Sequence, residues 1–339
     1  MLDKTTDPKS PKAPRVSVVI PAYNAAKCIG RAIASLQTQT EQDFEVIVVN
    51  DCSKDDTAQV LAALAAEDPR VRVLHHEKNG GPSVARNTGF AAARGDWIAI
   101  LDADDSYAPH RLETLLEAAE RHGLDMVADD IVYYDAVADM EVGIGGLDAG
   151  GGEFRRVDFA DYLRASMFRP SLSSFGARDI LQYALLKFTF RRAFVAEHGL
   201  AYPVALRDNE DFFFYAECII AGARAGVLSR PGYVYTQRVG KVSKQNSGLT
   251  QTRVDRLQVV AAVDTLIARH GAALAPRDLR LLRRRRAQAL GLRANEAALD
   301  KVRRRQIPHA LLELAGEPAS WGFLAHKVLR RVRSLAASR

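Results

Sequence analysis

The sequence predicts an α/β fold: a mostly parallel sheet with helices on both faces, followed by a helical, basic C-terminal extension. Three observations lead there. Short apolar runs alternate with amphipathic stretches from residue 16 onward, the pattern of consecutive βαβ units. Several of those runs end abruptly in polar or acidic residues, as strands do where a parallel sheet presents its carboxyl edge to a ligand. Charge is also divided along the chain. The formal net charge is +6, yet residues 269–339 hold 17 Lys and Arg against 5 Asp and Glu. The preceding residues are therefore net acidic, and an acidic body with a basic tail suggests two jobs.

The 339 residues suggest one large or two moderate domains with ample apolar residues for a core. Cys28, Cys52 and Cys218 are odd in number and far apart, which argues against a disulfide framework and suits a reducing cytosol. Residues 1–15 are polar with no apolar core, so no secretory signal is expected and the stretch reads as a disordered tail. No run approaches the roughly 20 apolar residues of a membrane-spanning helix. No internal repeat is visible.

The elements follow in order. Val16-Ser17-Val18-Val19-Ile20 reads as a first strand ended by Pro21. Residues 26–37 are helical, with Ile29, Ile33 and Leu36 on one face. Residues 45–49 form a second buried strand, 55–66 a helix, 71–74 a third strand. Asn79-Gly80-Gly81-Pro82 makes a tight turn into a helix over 82–93, with Pro82 in its first turn. Arg86 and Asn87 then lie near the sheet's carboxyl edge. A strand at 97–101, a helix at 111–122 and a strand at 125–128 complete the pattern. Residues 143–152 are glycine-rich and read as a mobile loop. Residues 154–178 read as irregular, 185–198 as helical, 212–221 as an apolar helix, 233–238 as a short strand and 239–246 as a polar loop.

The chemistry concentrates at Trp97-Ile98-Ala99-Ile100-Leu101-Asp102-Ala103-Asp104-Asp105. An apolar strand ends in three carboxylates within four residues. Residues i and i+2 of an extended chain point the same way, so Asp102 and Asp104 face one target and Asp105 turns aside. Clustered carboxylates repel unless a cation neutralises them. Mg²⁺ takes oxygen ligands, often one or two from protein with substrate phosphates completing the shell. The pattern therefore suits a metal–diphosphate site, and equally an Asp-rich turn capping the next helix. Two other strand ends, Pro21-Ala22-Tyr23-Asn24 and Asn50-Asp51-Cys52-Ser53-Lys54-Asp55, converge on the same edge. Ser53 or Asp55 also suits a plain helix N-cap. A second acidic cluster, Asp208-Asn209-Glu210-Asp211, precedes the apolar helix, where negative charge is favoured in any case.

These stretches together resemble family 2 glycosyltransferases of the GT-A fold. The matching pieces are Val18 to Asn24, Val48 to Asp55, Gly81 to Asn87, Leu101 to Asp105 and Asn209-Glu210-Asp211. The resemblance implies a GT-A domain at 16–245, with a donor half at 16–135 and an acceptor half at 136–245, and leaves 250–339 as a separate helical basic region. It implies that Pro21, Tyr23 and Asp51 hold the uracil and ribose of a UDP-sugar, with Asn24 beside them, and that Arg86 is the donor-site arginine. Asp102 and Asp104 correspond to the D-x-D pair, the first near the ribose and the second on Mg²⁺ or Mn²⁺. Asp211 corresponds to the catalytic base, with Glu210 as the lesser candidate. The implied pathway is assembly of bacterial exopolysaccharide, lipopolysaccharide or capsule. The Gln-x-x-Arg-Trp motif of processive synthases is absent, so one sugar is added per event.

The reaction itself asks for the same division. A leaving diphosphate gains charge and needs a divalent cation. The incoming hydroxyl needs a carboxylate base, held apart from that cation. One external displacement inverts the anomeric centre. A sugar-phosphate nucleotidyltransferase is the first rival, but no glycine-rich loop follows the first strand before Gly30. A nucleic-acid-binding protein is the second. Its basic tail would offer only Trp321 and Phe323 for stacking and would leave the acidic clusters unexplained. The last stretch, 321–335, has Trp321, Leu324, Val328, Val332 and Leu335 on one helical stripe with Lys327, Arg330 and Arg333 off it. That suits an interfacial helix on an anionic membrane, with Arg283 to Arg286 and Arg303 to Arg305 adding attraction. The expected location is cytoplasmic and peripheral on the inner membrane face, near a saccharide or polyprenyl-diphosphate-linked acceptor.

Overall fold

The computed structural model describes residues 13–145, 147, 152–167, 183–206, 209–237, 255–318 and 320–321. The chain begins with β1 (Val16–Ala22), α1 (Ile29–Gln37), β2 (Phe44–Asn50), α2 (Thr57–Glu67), β3 (Val71–His75), α3 (Pro82–Ala92) and β4 (Trp97–Ile100). All four strands pair in parallel, β1 lying between β2 and β4 and β3 outside β2. Every residue of β2 and β4 is buried, which is why Val46 to Val49 and Trp97 to Ile100 read as unbroken apolar runs. β1 runs two residues past its expected end, with Pro21 opposite Val49 and Ala22 opposite Asn50. Its pairing with β4 stops at Val19. Pro21 therefore falls where that neighbour has left the sheet, and a residue without an N–H is tolerated there.

The chain continues through β5 (Ser106–Tyr107), α4 (Arg111–His122), β6 (Met126–Asp135), β7 (Met140–Ile144), β8 (Phe154–Val157) and α5 (Phe159–Ala165). β9 (Thr189–Arg191), α6 (Arg192–Glu197), α7 (Glu210–Ile220) and β10 (Ala225–Gln237) follow. The sheet order is β3-β2-β1-β4-β9-β6-β10-β5, with β7 on β6 and β8 on β10. β6 and β10 are parallel. β9 runs antiparallel to both β4 and β6. The parallel architecture thus holds fully in the first half and is mixed in the second.

Alternate residues of β1 and β2 face opposite ways. Val18, Ile20, Val46 and Val48 pack with α1, whereas Val19, Ile47 and Val49 pack with Ala85 of α3. Helices therefore cover both faces.

Several expectations change: the short strand at 233–238 is the end of the 13-residue β10, and the strand at 125–128 runs on to Asp135 as the 10-residue β6. Residues 185–198 do not form one helix; a 3₁₀ turn over Tyr183–Leu185 leads into β9 and then α6. Phe188 and Phe190 alternate with Lys187 and Thr189, a strand period that a short apolar run conceals. Residues 154–165 are not irregular. They hold edge strand β8 and helix α5, whose N-cap Asp158 accepts from the Asp161 N–H at 2.7 Å. β7 also reaches into the start of the glycine-rich stretch, whose residues 146 and 148–151 lie outside the described residues, as do those of the polar loop.

The C-terminal region is helical: α8 (Arg256–His270), α9 (Pro276–Arg303) and α10 (Ile307–Ala315). Ala262, Val263, Leu266 and Leu282 belong to the same buried cluster as Phe212 to Ala216 of α7. These helices share the core of the sheet domain. The amphipathic stretch 321–335 falls outside the described residues apart from Trp321.

Candidate functional site

The carboxyl ends of β1, β2 and β4 lie side by side, and two groups of side chains gather there. The first surrounds Asp51, at the end of β2. Its Oδ1 accepts from the Gly80 N–H at 2.9 Å and meets His76 Nδ1 at 2.7 Å, and its Oδ2 accepts from the Gly81 N–H at 2.7 Å. Gly81 has φ +87°, a conformation that favours glycine and here turns two successive amides onto one carboxylate. His76 is held in turn by Thr88 Oγ1 at 2.9 Å. Asn24, with φ +51°, accepts from the Lys54 N–H through Oδ1 at 2.8 Å, while its own N–H donates to Ser53 Oγ. Asp55 accepts from the Ala26 and Thr57 amides. Asn24, Ser53 and Asp55 thus lock the first two strand ends together. Tyr23 stands 45% exposed beside them, a ring available for stacking.

The second group is a network of buried charges. Arg86, on the first turns of α3, donates from Nη2 to Asp102 Oδ1 at 2.9 Å and from Nη1 to Glu210 Oε1 at 2.7 Å. The same Nη1 lies 3.4 Å from Asp211 Oδ1. Lys187 Nζ reaches Asp211 Oδ2 at 2.7 Å and Asp102 Oδ2 at 3.0 Å. Arg86, Asp102, Glu210 and Asp211, far apart in sequence, therefore meet, and two cations stand between the two acidic motifs. Lys187 was not among the expected residues. Its signal was a lone charge inside the apolar run Leu185-Leu186-Lys187-Phe188-Thr189-Phe190.

Burial works against the charge on Asp102, but Lys187 and Arg86 outweigh it and hold the carboxyl well below the usual range. Burial likewise opposes the charge on Lys187, and the two carboxylates more than restore it, raising the ammonium well above its ordinary value. Burial and then the neighbouring Asp211 charge push Glu210 up, against Arg86. Among the described residues Asp211 Oδ1 is buried and accepts no hydrogen bond.

Neighbouring elements aim these groups. Asn87 is stapled to Tyr202 by two hydrogen bonds, Nδ2 to the carbonyl at 2.9 Å and Oδ1 from the amide at 2.8 Å. The Tyr202 ring lies under Arg86 at 5.2 Å. Arg111 pairs with Asp129 and donates to the Lys187 carbonyl at 2.8 Å, fixing the segment that carries Lys187 into β9. Asp105 does turn aside, into the core, where it accepts from Tyr233 Oη and the Thr236 N–H, each at 2.7 Å. Burial and the Asp104 and Asp102 charges raise it well above the carboxylate range. Asp104 is half-buried at the turn after β4, its carbonyl held by Arg31.

Among the described residues, no three His, Cys, Asp or Glu side chains gather as a ready metal cage. A divalent ion shared with a diphosphate needs only one or two carboxylates. Asp104 fits that requirement, with Asp102 beside it already committed to Arg86 and Lys187.

The α/β sheet with helices on both faces, the strand-end carboxylates Asp102 and Asp104 and the largely buried Glu210-Asp211 pair are the features in which the sequence resembles glycosyltransferases of the GT-A fold. Residues 17–140 match the model of glycosyl transferase family 2. The succinoglycan biosynthesis protein ExoO of Rhizobium meliloti (strain 1021) is 32% identical over 335 residues, spanning 97% of this chain and 89% of that protein. ExoU of the same strain, another succinoglycan biosynthesis protein, is 36% identical over 228 residues, spanning 67% and 64%. The S. aureus TarS 1–349 structure in complex with UDP-GlcNAc shares the fold, with TM-score 0.58 and 19% identity over 89% of this chain and 90% of that one. The chain belongs to glycosyl transferase family 2 and is a glycosyltransferase.

Proposed function

We propose that the protein transfers one sugar, with inversion, from a nucleotide-sugar donor to a saccharide or polyprenyl-diphosphate-linked acceptor during bacterial exopolysaccharide assembly. A UDP-sugar is the donor class, and the enzyme is non-processive. The single observation that carries the reading is Asp211. Lys187 holds one of its oxygens, and the other accepts no hydrogen bond among the described residues, with Arg86 Nη1 standing 3.4 Å away. That oxygen takes the proton of the acceptor hydroxyl. The hydroxyl oxygen forms its bond to the anomeric carbon as the bond to the diphosphate oxygen breaks. Tyr23 and Asp51 hold the base and ribose, with Pro21 and Asn24 shaping the pocket, and Arg86 neutralises charge beside the donor. Asp104, with Asp102, would hold Mg²⁺ or Mn²⁺, which would supply positive charge to the leaving group.

Support for the pathway comes from the succinoglycan biosynthesis relatives, and support for the donor from the UDP-GlcNAc bound to the structural neighbour. Supplying UDP-sugars with lipid extract should release UDP and yield a glycosylated lipid, whereas UTP with sugar 1-phosphates should give no UDP-sugar. Titration of UDP with Mn²⁺ should show affinity falling at least tenfold on Asp104→Asn or on chelation. UDP binding indifferent to both would remove the metal from the site.

We also propose that the protein works at the cytoplasmic face of an anionic membrane. No helix among the described residues is long and apolar enough to cross one. Support comes from the end of α9 and from α10. There Leu299, Val302, Ile307, Leu311 and Leu312 are exposed next to exposed Arg303 and Arg305, a pairing that suits a lipid surface. Arg285 and Arg286 do not add to it as the sequence suggested: Arg285 is buried and Arg286 pairs with Asp264 at 2.7 Å. The protein should float with anionic vesicles at low salt and detach as salt rises. A Leu311→Ser, Leu312→Ser variant should float less, and equal flotation of both forms would clear α10 of the role.

A further inference from the structure

The acidic motif that carries Asp211 is anchored from outside the catalytic half of the chain. Asn209 precedes α7 and adopts φ +63°, a left-handed conformation that asparagine tolerates better than most non-glycine residues. An asparagine at a helix N-cap normally turns its side chain onto the first-turn amides. Asn209 makes no such cap. Its Oδ1 accepts instead from Nη2 of Arg285, on α9, at 3.1 Å. Nη1 of the same guanidinium donates to the Ser166 carbonyl, at the end of α5. Its plane lies over the Phe212 ring at 3.8 Å. Phe212 stacks on Tyr162 at 5.6 Å, and Tyr162 Oη donates to the Phe212 carbonyl at 3.0 Å. Arg285 is 5% exposed.

We propose that Arg285 is a positioning residue for the base: it joins α9 to α5 and to the left-handed turn before α7, and so fixes where Glu210 and Asp211 point. The C-terminal helices are then part of the catalytic unit and not an accessory to it. The inference rests on the reading of Asp211 as the base. Arg285 touches neither donor nor acceptor in this account, so its removal acts on kcat and spares donor binding. Displacing a reacting group by a fraction of an ångström to an ångström is enough to lose up to about 10²-fold in rate.

The test compares full-length Arg285→Met, Arg285→Lys, Asn209→Gly and the Arg285→Met, Asn209→Gly double variant, with Arg286→Met as the control and Asp211→Asn alongside. Arg285→Met should lower kcat by about 10- to 100-fold with the donor KM within about twofold. Arg285→Lys, which keeps charge and part of the reach, should recover a share of it. If the two residues act through one contact, the double variant should be no slower than the worse single. Arg286→Met should match the unmodified protein. Should Arg285→Met fail to fold, Asn209→Gly and Arg285→Lys still decide the matter through their kcat. A kcat within about threefold for these variants, while Asp211→Asn loses far more, overturns the positioning role and leaves the base standing. Multiplicative losses in the double variant, or a rise in donor KM with kcat preserved, also overturn it. An Asp211→Asn variant with undiminished turnover overturns the base instead.

Discussion

Asp211→Asn should lower turnover by about 10²- to 10⁴-fold, the range that a positioned general base contributes, with donor affinity little changed. The amide keeps the size and the hydrogen-bonding shape of the carboxylate but cannot take a proton at neutral pH. The ion pair of Oδ2 with Lys187 at 2.7 Å and the approach of Arg86 to Oδ1 at 3.4 Å both reach the same side chain. Asparagine therefore removes one negative charge from a site that still holds Asp102 and Glu210 against the two cations, and the protein should remain folded. Glu210→Gln separates the two candidates. Glu210 accepts from Arg86 at 2.7 Å, so its loss should loosen the arginine and raise donor KM more than it lowers kcat. A larger kcat loss for Glu210→Gln than for Asp211→Asn would exchange the two roles. A variant Asp211→Asn that chiefly weakens UDP binding would place Asp211 with the donor.

The parts legible in the sequence are those whose cause is local. β2 and β4 are buried on both faces, so Val46 to Val49 and Trp97 to Ile100 are apolar without alternation. The start of α3 follows from Gly80-Gly81-Pro82, and its arginine lands at the sheet edge because a helix places successive turns predictably. Asp102, Glu210 and Asp211 stand out as charges at the ends of apolar stretches. What was not legible depends on partners brought in from elsewhere. β9 is a strand because it fills the gap between β4 and β6, and three residues carry too little period to announce that. Lys187 is a single charge in an apolar run, and only the fold brings Asp102 and Asp211 to it. Arg285 sits in a run of four arginines that reads as one basic face. The one that turns inward lies on the stripe Leu282, Arg285, Ala289, all buried, a spacing of three and four that separates it from its neighbours. Arg283 and Arg284 of the same run stay exposed.

Lys187→Met should destabilise the fold more than any surface substitution, and the loss should depend on pH in a defined direction. The ammonium is nearly enclosed and neutralises two carboxylates, at 2.7 and 3.0 Å. Methionine fills much the same volume, and the backbone stays fixed through the Arg111 bond to the residue's carbonyl, so the change isolates the charge. Removing one partner of a buried ion pair costs about 3–5 kcal/mol. The lower end applies here, because Arg86 continues to serve both carboxylates and the Asp102 side chain is 24% exposed. Asp102 is held below its ordinary value in the folded protein. Its contribution is therefore present above the unfolded value of about 4 and fades as pH falls through the lower folded value. Without Lys187 the folded value climbs back toward the unfolded one, and that contribution shrinks. The stability gap between the two proteins should thus be widest near pH 7 and narrow progressively below about pH 4, where protonation empties the pair in both. Urea unfolding at a series of pH values reads this directly. A gap that stays constant from neutral to acid pH would mean that the loss comes from packing, and would strip Lys187 of its electrostatic role between the two acidic motifs.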